Sequence, residues 1–150
     1  MLGPPNTKSR THLSEIERVR MNDAAKDDND EEVKKIEQAI MAYYHEGHVK
    51  YDPKLYEEVL HPDWKFFMLN DDGTLEIVNR NTYTSWYNPS ELNPSLKWET
   101  KFFYVDVTGK AASAKISIEN QIVKYVDYFN LLCLGGRWWI VNKISHPFRK

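Results

Sequence analysis

One carboxylate lies within an apolar strand-like run near the C-terminal end of this sequence: Asp127, in Lys124-Tyr-Val-Asp-Tyr-Phe-Asn-Leu-Leu-Cys-Leu134. Desolvation on an apolar face raises a carboxyl pKa toward the working range of a general acid or base. The same placement also suits an acid that accepts hydrogen bonds from a nearby Tyr, Trp or backbone N–H and organises the core. His61 and Asp63 flank Pro62. A His–carboxylate pair can fix a tautomer and act as a base; the alternative is a helix stopped by Pro, with His favoured at its C-terminal end. His45 and His48 have i, i+3 spacing. They lack a third ligand at a suggestive spacing, so a solvated helix end is expected and no metal. His146 with Tyr125, and Asn142 as a donor to a ligand carbonyl, complete the polar candidates. A frayed strand end and a bonded backbone group are their respective alternatives. There is no GxGxxG, P-loop, GxSxG or CxxC motif, and no cofactor is expected.

These groups need a scaffold, and the final 27 residues offer one. Gly135-Gly136 suits a two-residue hairpin turn with positive φ. Strict pairing from that turn sets Cys133 against Trp138, Leu131 against Ile140, Phe129 against Asn142, Asp127 against Ile144 and Tyr125 against His146, all on one face. Leu132/Trp139, Asn130/Val141, Tyr128/Lys143 and Val126/Ser145 take the other. A slip of one residue would invert the assignment.

Upstream, residues 1–30 are expected to be a flexible extension with a short helix near Thr11–Met21 and an acidic linker over residues 22–32. A folded domain is expected over residues 31–150. Val33, Ile36, Ile40 and Tyr43 or Tyr44 follow helical spacing, with Gly47 as the stop. Asp52-Pro53 restarts a helix that ends at His61-Pro62. Strands are expected at Trp64–Leu69, Thr74–Val78, Lys97–Val107 and Ala111–Glu119, with a brief helix from Asn81 to Tyr87. Helices followed by a mainly antiparallel sheet make an α+β domain. Tyr44, Trp64, Phe66, Trp86, Tyr104, Tyr125, Phe129 and Trp138 are candidates to line a pocket, or to fill the core.

At 150 residues the chain is long enough for one core, and its 13% aromatic content suits either use. A net charge of −2 with no basic stripe argues against nucleic acid as partner. The single cysteine precludes an internal disulfide, and no run is long and apolar enough for a membrane span, so a cytoplasmic location is expected.

Leu60-His-Pro-Asp63, Asp106-Val-Thr-Gly109 with Ala112–Ile118, and above all Tyr125-Val-Asp-Tyr-Phe129 with Gly136-Arg-Trp-Trp-Ile-Val-Asn-Lys143 resemble the nuclear transport factor 2-like superfamily. Within it the chain is most similar to the putative lumazine-binding group, over residues 31–148. The resemblance implies helices packed on a strongly curved mixed or antiparallel sheet, forming a cone with an internal pocket. Relatives of that fold include ketosteroid isomerases, polyketide cyclases and scytalone dehydratases; others only bind ligands or proteins. The expectation is a small organic ligand. It would be handled by a cofactor-free isomerase, dehydratase or cyclase using Asp127 with His61 or His146, or by a non-catalytic binding or association module. Trp139, Tyr128 and Val141 on the outer face suggest a homodimer, common in the superfamily.

Overall fold

The computed structural model describes residues 14–150, with side chains at 14–18 and from 29 onward. The disorder expected at residues 1–10, and the apolar spacing at Leu13 and Val19, fall outside those limits. Helix α1 spans Glu15–Ala39 and opens with a capping box, Ser14 and Glu17 each bonding the other's backbone N–H. It runs unbroken through residues 22–32, where a linker was expected. No Gly or Pro interrupts residues 15–39, and Ala, Lys and Glu are good helix formers.

The chain stays helical as a π-turn, Ile40–His45, and then α2, Glu46–Lys50. Gly47 therefore does not end the helix. It is buried, and a Cβ there would come within 2.7 Å of the Tyr56 ring. The reversal comes at Tyr51, in the left-handed region with φ 47. Asp52 caps α3, Pro53–Glu57, with Pro at its first position, as the sequence implies. That helix ends before His61-Pro62, which lie instead in strand β1, Leu60–Leu69. Strand β2, Leu75–Asn79, returns through the Asn70–Gly73 turn. Helix α4, Arg80–Ser85, is capped by Asn79 rather than Asn81.

Strands β3 (Glu99–Thr108), β4 (Ala111–Glu119), β5 (Val123–Leu134) and β6 (Arg137–Arg149) complete one open six-stranded sheet ordered β2-β1-β6-β5-β4-β3. Only the β1–β6 pair is parallel. The helices cover one face. Ile36, Ile40 and Tyr44 are buried there with Ile116, Ile118, Phe129, Leu131 and Ile140. Each such side chain contributes roughly 1.5–3 kcal/mol by leaving water.

The closing hairpin turns at Gly135-Gly136, both with positive φ, and its first four pairs follow strict alternation. A β-bulge then intervenes. Leu131 pairs with Ile140, but Asn130 pairs with Asn142, leaving Val141 as the extra residue. Beyond it the faces of β6 are exchanged. Phe129 meets Lys143 instead of Asn142, Asp127 meets Ser145 instead of Ile144, and Tyr125 meets Pro147 instead of His146. Lys143 is thereby buried, and Ile144 and His146 are exposed.

Candidate functional site

A cavity of about 200 Å³ opens among the helix-covered face of the sheet, α4 and the segment carrying Tyr44 and His48. Asp127 reaches it because β5 alternates: Asp127, Phe129 and Leu131 are buried while Tyr128, Asn130 and Leu132 are exposed. Lys143 and Ser145 reach it because the bulge turns them inward. Phe66, Met68, Leu69, Trp86, Tyr125 and Pro147 contribute apolar lining.

The polar wall is a connected network. Tyr44 donates its hydroxyl proton to Oδ2 of Asp127 at 2.6 Å, and Ser145 donates to Oδ1 at 2.5 Å. Both are short, as hydroxyl-to-carboxylate bonds are. Lys143 Nζ donates to the Tyr44 hydroxyl oxygen at 3.0 Å. Tyr83 lies 3.5 Å from the Tyr44 hydroxyl and 3.2 Å from that of Tyr87, and Tyr87 lies 3.4 Å from Nε2 of His48. Nδ1 of His48 is 2.9 Å from the Tyr44 carbonyl. A carbonyl only accepts, so Nδ1 carries the proton and Nε2 of the neutral ring accepts from Tyr87.

Burial sets the electrostatics. It holds His48 down to about 3, so the ring is neutral near pH 7. Burial also lowers Lys143 to about 8, against the pull of Asp127's charge. The Tyr44 hydroxyl is pushed well above the usual tyrosine value, by burial first and by Asp127 second. Tyr83 and Tyr87 are raised mainly by burial. Lys143 Nζ sits 4.0 Å from the Phe66 ring centroid and 4.3 Å from that of Tyr83, with Tyr44 and Trp64 beyond. Cation–π attraction thus offsets part of its desolvation.

Of the residues singled out from sequence, Asp127, Tyr44, Phe66, Trp86 and Tyr125 line this cavity. Phe129 packs edge-on against Tyr44 and Trp64 edge-on against Tyr83, and neither lines the cavity. The others lie elsewhere. His61 sits on β1 against Trp139, its Nδ1 accepting from the Asp63 N–H. His146 and Asn142 face outward because of the bulge; His146 packs on Phe148, and Asn142 accepts from Asn130. Trp138 donates its indole N–H to Glu32, away from the cavity. Tyr104 follows an irregularity in β3 between Phe102 and Tyr104 and is exposed.

Sequence reasoning missed Lys143, Ser145, Tyr83, Tyr87 and His48. The spacing of His45 and His48 predicts a solvated helix end, yet His48 is buried; His45, half-buried, pairs with Thr100. The i, i+4 spacing of Tyr44 and His48 was the available signal for that pair. No residue type in β6 marks the bulge that turns Lys143 inward. Among the described residues no cluster of His, Cys, Asp and Glu could hold a metal, and no helix is long and apolar enough to cross a membrane.

Helices seated on an open, mostly antiparallel sheet, with an aromatic pocket between them, define a nuclear transport factor 2-like cone fold. The chain belongs to the family described as "Putative lumazine-binding", whose model matches residues 29–146. It is similar to a crystal structure of an NTF2-like protein of unknown function from Shewanella baltica, with 25% identity and a TM-score of 0.72, covering 80% of this chain and 96% of that one. A second NTF2-like protein of unknown function, from Silicibacter pomeroyi, has 15% identity and a TM-score of 0.70, covering 79% and 98%. A structure described as "Putative Scytalone Dehydratase" from Novosphingobium aromaticivorans shares the fold at 12% identity and a TM-score of 0.62, covering 78% and 84%. No curated protein matches the chain.

Proposed function

We propose that the pocket takes up a small organic molecule bearing a carbonyl or enolate oxygen, and that Asp127, Tyr44 and Lys143 move a proton on it. The observation carrying this reading is the relay in the pocket wall: Lys143 Nζ, the Tyr44 hydroxyl and Asp127 in line at 3.0 and 2.6 Å. Lys143 has three N–H donors, and Tyr44 takes one. The remaining donors stabilise negative charge developing on a ligand oxygen in a site where burial strengthens the attraction. Asp127 has further lone pairs and serves as the base. This is the chemistry of an isomerase, dehydratase or cyclase, the reaction classes found on this fold. His61 and His146 have no part in it.

A second reading rests on a different observation. Both Asp127 oxygens already accept hydroxyl hydrogen bonds. A wall so satisfied also suits a carrier that holds a planar heteroaromatic molecule, as the family's description suggests, and leaves it unchanged. Lumazine titrated against tryptophan fluorescence tests uptake, with Trp86 in the pocket lining as reporter. Chemical analysis of carbonyl compounds selected by the same assay tests turnover. Asp127→Asn should abolish turnover while leaving uptake close to wild type, and should lower the unfolding midpoint because it removes the carboxylate that answers the buried Lys143 charge. Unchanged turnover in that variant rejects the acid/base role.

The outer sheet face supports a further part of the reading, that two copies pair across it. Tyr128, Ile144 and Leu132 are exposed there. Native mass spectrometry reports the oligomer directly; a monomer at micromolar concentration rejects pairing.

A further inference from the structure

We propose that Lys143 is a nucleophile that captures an aldehyde or ketone group of the ligand as an imine. The proposal rests on the pocket reading above and names the ligand's reactive group. Lys143 lines the cavity, and the one side-chain hydrogen bond of its Nζ among the described residues goes to a neutral hydroxyl. Among the described residues it forms no direct ion pair, although Asp127 is one hydroxyl away. The titratable groups facing it are Asp127 from β5, Tyr44 and His48 from the helical segment and Tyr83 from α4; Phe66 of β1 is apolar. Among the described residues, no acidic side chain other than Asp127 lines the cavity.

The relay can generate the free amine without creating net charge. The Lys143 ammonium passes a proton to the Tyr44 oxygen, and Tyr44 passes its own to Asp127. Ammonium and carboxylate become amine and carboxylic acid. The amine lone pair then attacks the carbonyl carbon, a C–N bond forms, and the C=O π pair moves to oxygen, which takes the proton from Asp127. Asp127, again a carboxylate, recovers a proton from the new C–N nitrogen through Tyr44. It delivers that proton to the hydroxyl, the C–O bond breaks, and water leaves as the nitrogen lone pair forms C=N. Ammonium plus carbonyl has become iminium plus water, so atoms and charge balance. Burial favours the neutral amine, with Lys143 lowered to about 8. Near neutral pH this gives roughly two hundred times the free-amine fraction of an ordinary lysine. Space is sufficient: a cavity of about 150 Å³ holds benzene, and this one is about 200 Å³.

The test treats the full chain with benzaldehyde and sodium cyanoborohydride near neutral pH, followed by intact mass and peptide mapping. The expected result is one adduct per chain at Lys143, forming at least about tenfold faster than on any other lysine. Its rate should rise with pH about a midpoint near 8. Lys143→Arg, which keeps the charge without a nucleophilic amine, should lose the adduct; should that variant misfold, mapping of the wild type decides alone. Benzyl alcohol, which cannot form an imine, reports pocket occupancy by tryptophan fluorescence. Benzyl alcohol bound with Lys143 unlabelled overturns the imine and leaves the pocket reading standing. Neither compound engaging the cavity overturns both.

Discussion

A lysine buried among aromatic rings is destabilising unless something answers its charge, and at Lys143 the answer arrives through a neutral intermediary. Tyr44 accepts from Nζ and donates to Asp127, so removing its hydroxyl strands both partners. Tyr44→Phe should destabilise the protein by about 1–3 kcal/mol in urea unfolding. It should also slow any imine formation at Lys143 far more than it weakens benzyl alcohol binding. Lys143 has a consequence for stability against pH as well. Its folded value of about 8 lies below that of a free lysine, about 10.4. Between those values the unfolded chain binds more protons than the folded one, so stability rises with pH, by up to about 1.4 kcal/mol per unit. Above pH 10 the buried tyrosines reverse the trend, because their raised values favour the neutral form that the folded state holds. Thermal unfolding should therefore peak near pH 10, and Lys143→Met should flatten the rise between 8 and 10.

At the scale of elements, the hairpin divides what the sequence reveals from what it conceals. The Gly135-Gly136 turn and the four pairs nearest it follow from residue type alone, because positive φ selects glycine and β pairing alternates. The inward placement of Asp127 follows too, since β5 itself is regular. The bulge at Val141 does not, because β6 carries no glycine or other marker there, and strict alternation in Trp138, Ile140, Asn142, Ile144 and His146 looks equally acceptable. One unmarked residue therefore exchanged a histidine for a lysine in the candidate site. Gly47 teaches the same lesson from a helix. A glycine past an apolar run reads as a stop, yet this one is required because the Tyr56 ring lies against it. Gly47→Ala should cost about 1–3 kcal/mol from overpacking. Asp52→Ala should cost about 1 kcal/mol by removing the cap of α3, whose side chain accepts from Lys54 N–H. Both are readable from denaturant midpoints.

The whole molecule was more legible than its site. Helices first, then a meandering sheet, defined the α+β class, and the closing hairpin carried the family resemblance. Long-range placement was not legible: His48 comes from α2, Tyr83 and Tyr87 from α4 and the turn that follows it, and the two groups meet only once the helices seat on the sheet. Their meeting sets the acid behaviour of the fold. His48 is held neutral to about 3, whereas an unfolded histidine takes a proton near 6.5. The unfolded chain gains protons first as pH falls, so stability is lost progressively between 6.5 and 3. His48→Asn, which cannot take up that proton, should show a shallower acid limb in circular dichroism titrations.

Tyr83 sits at the middle of the hydroxyl chain with a single proton to give. Tyr44 commits its proton to Asp127, and Tyr87 commits its own to His48. Tyr83 alone can turn toward either neighbour, so the chain has two arrangements with the same number of bonds. Shielded from bulk water, these hydroxyl protons should exchange slowly enough to give discrete NMR signals. Those bonded to Asp127 should lie far downfield, and arrival of a guest beside Lys143 should shift the Tyr83 resonance as its proton settles on one side.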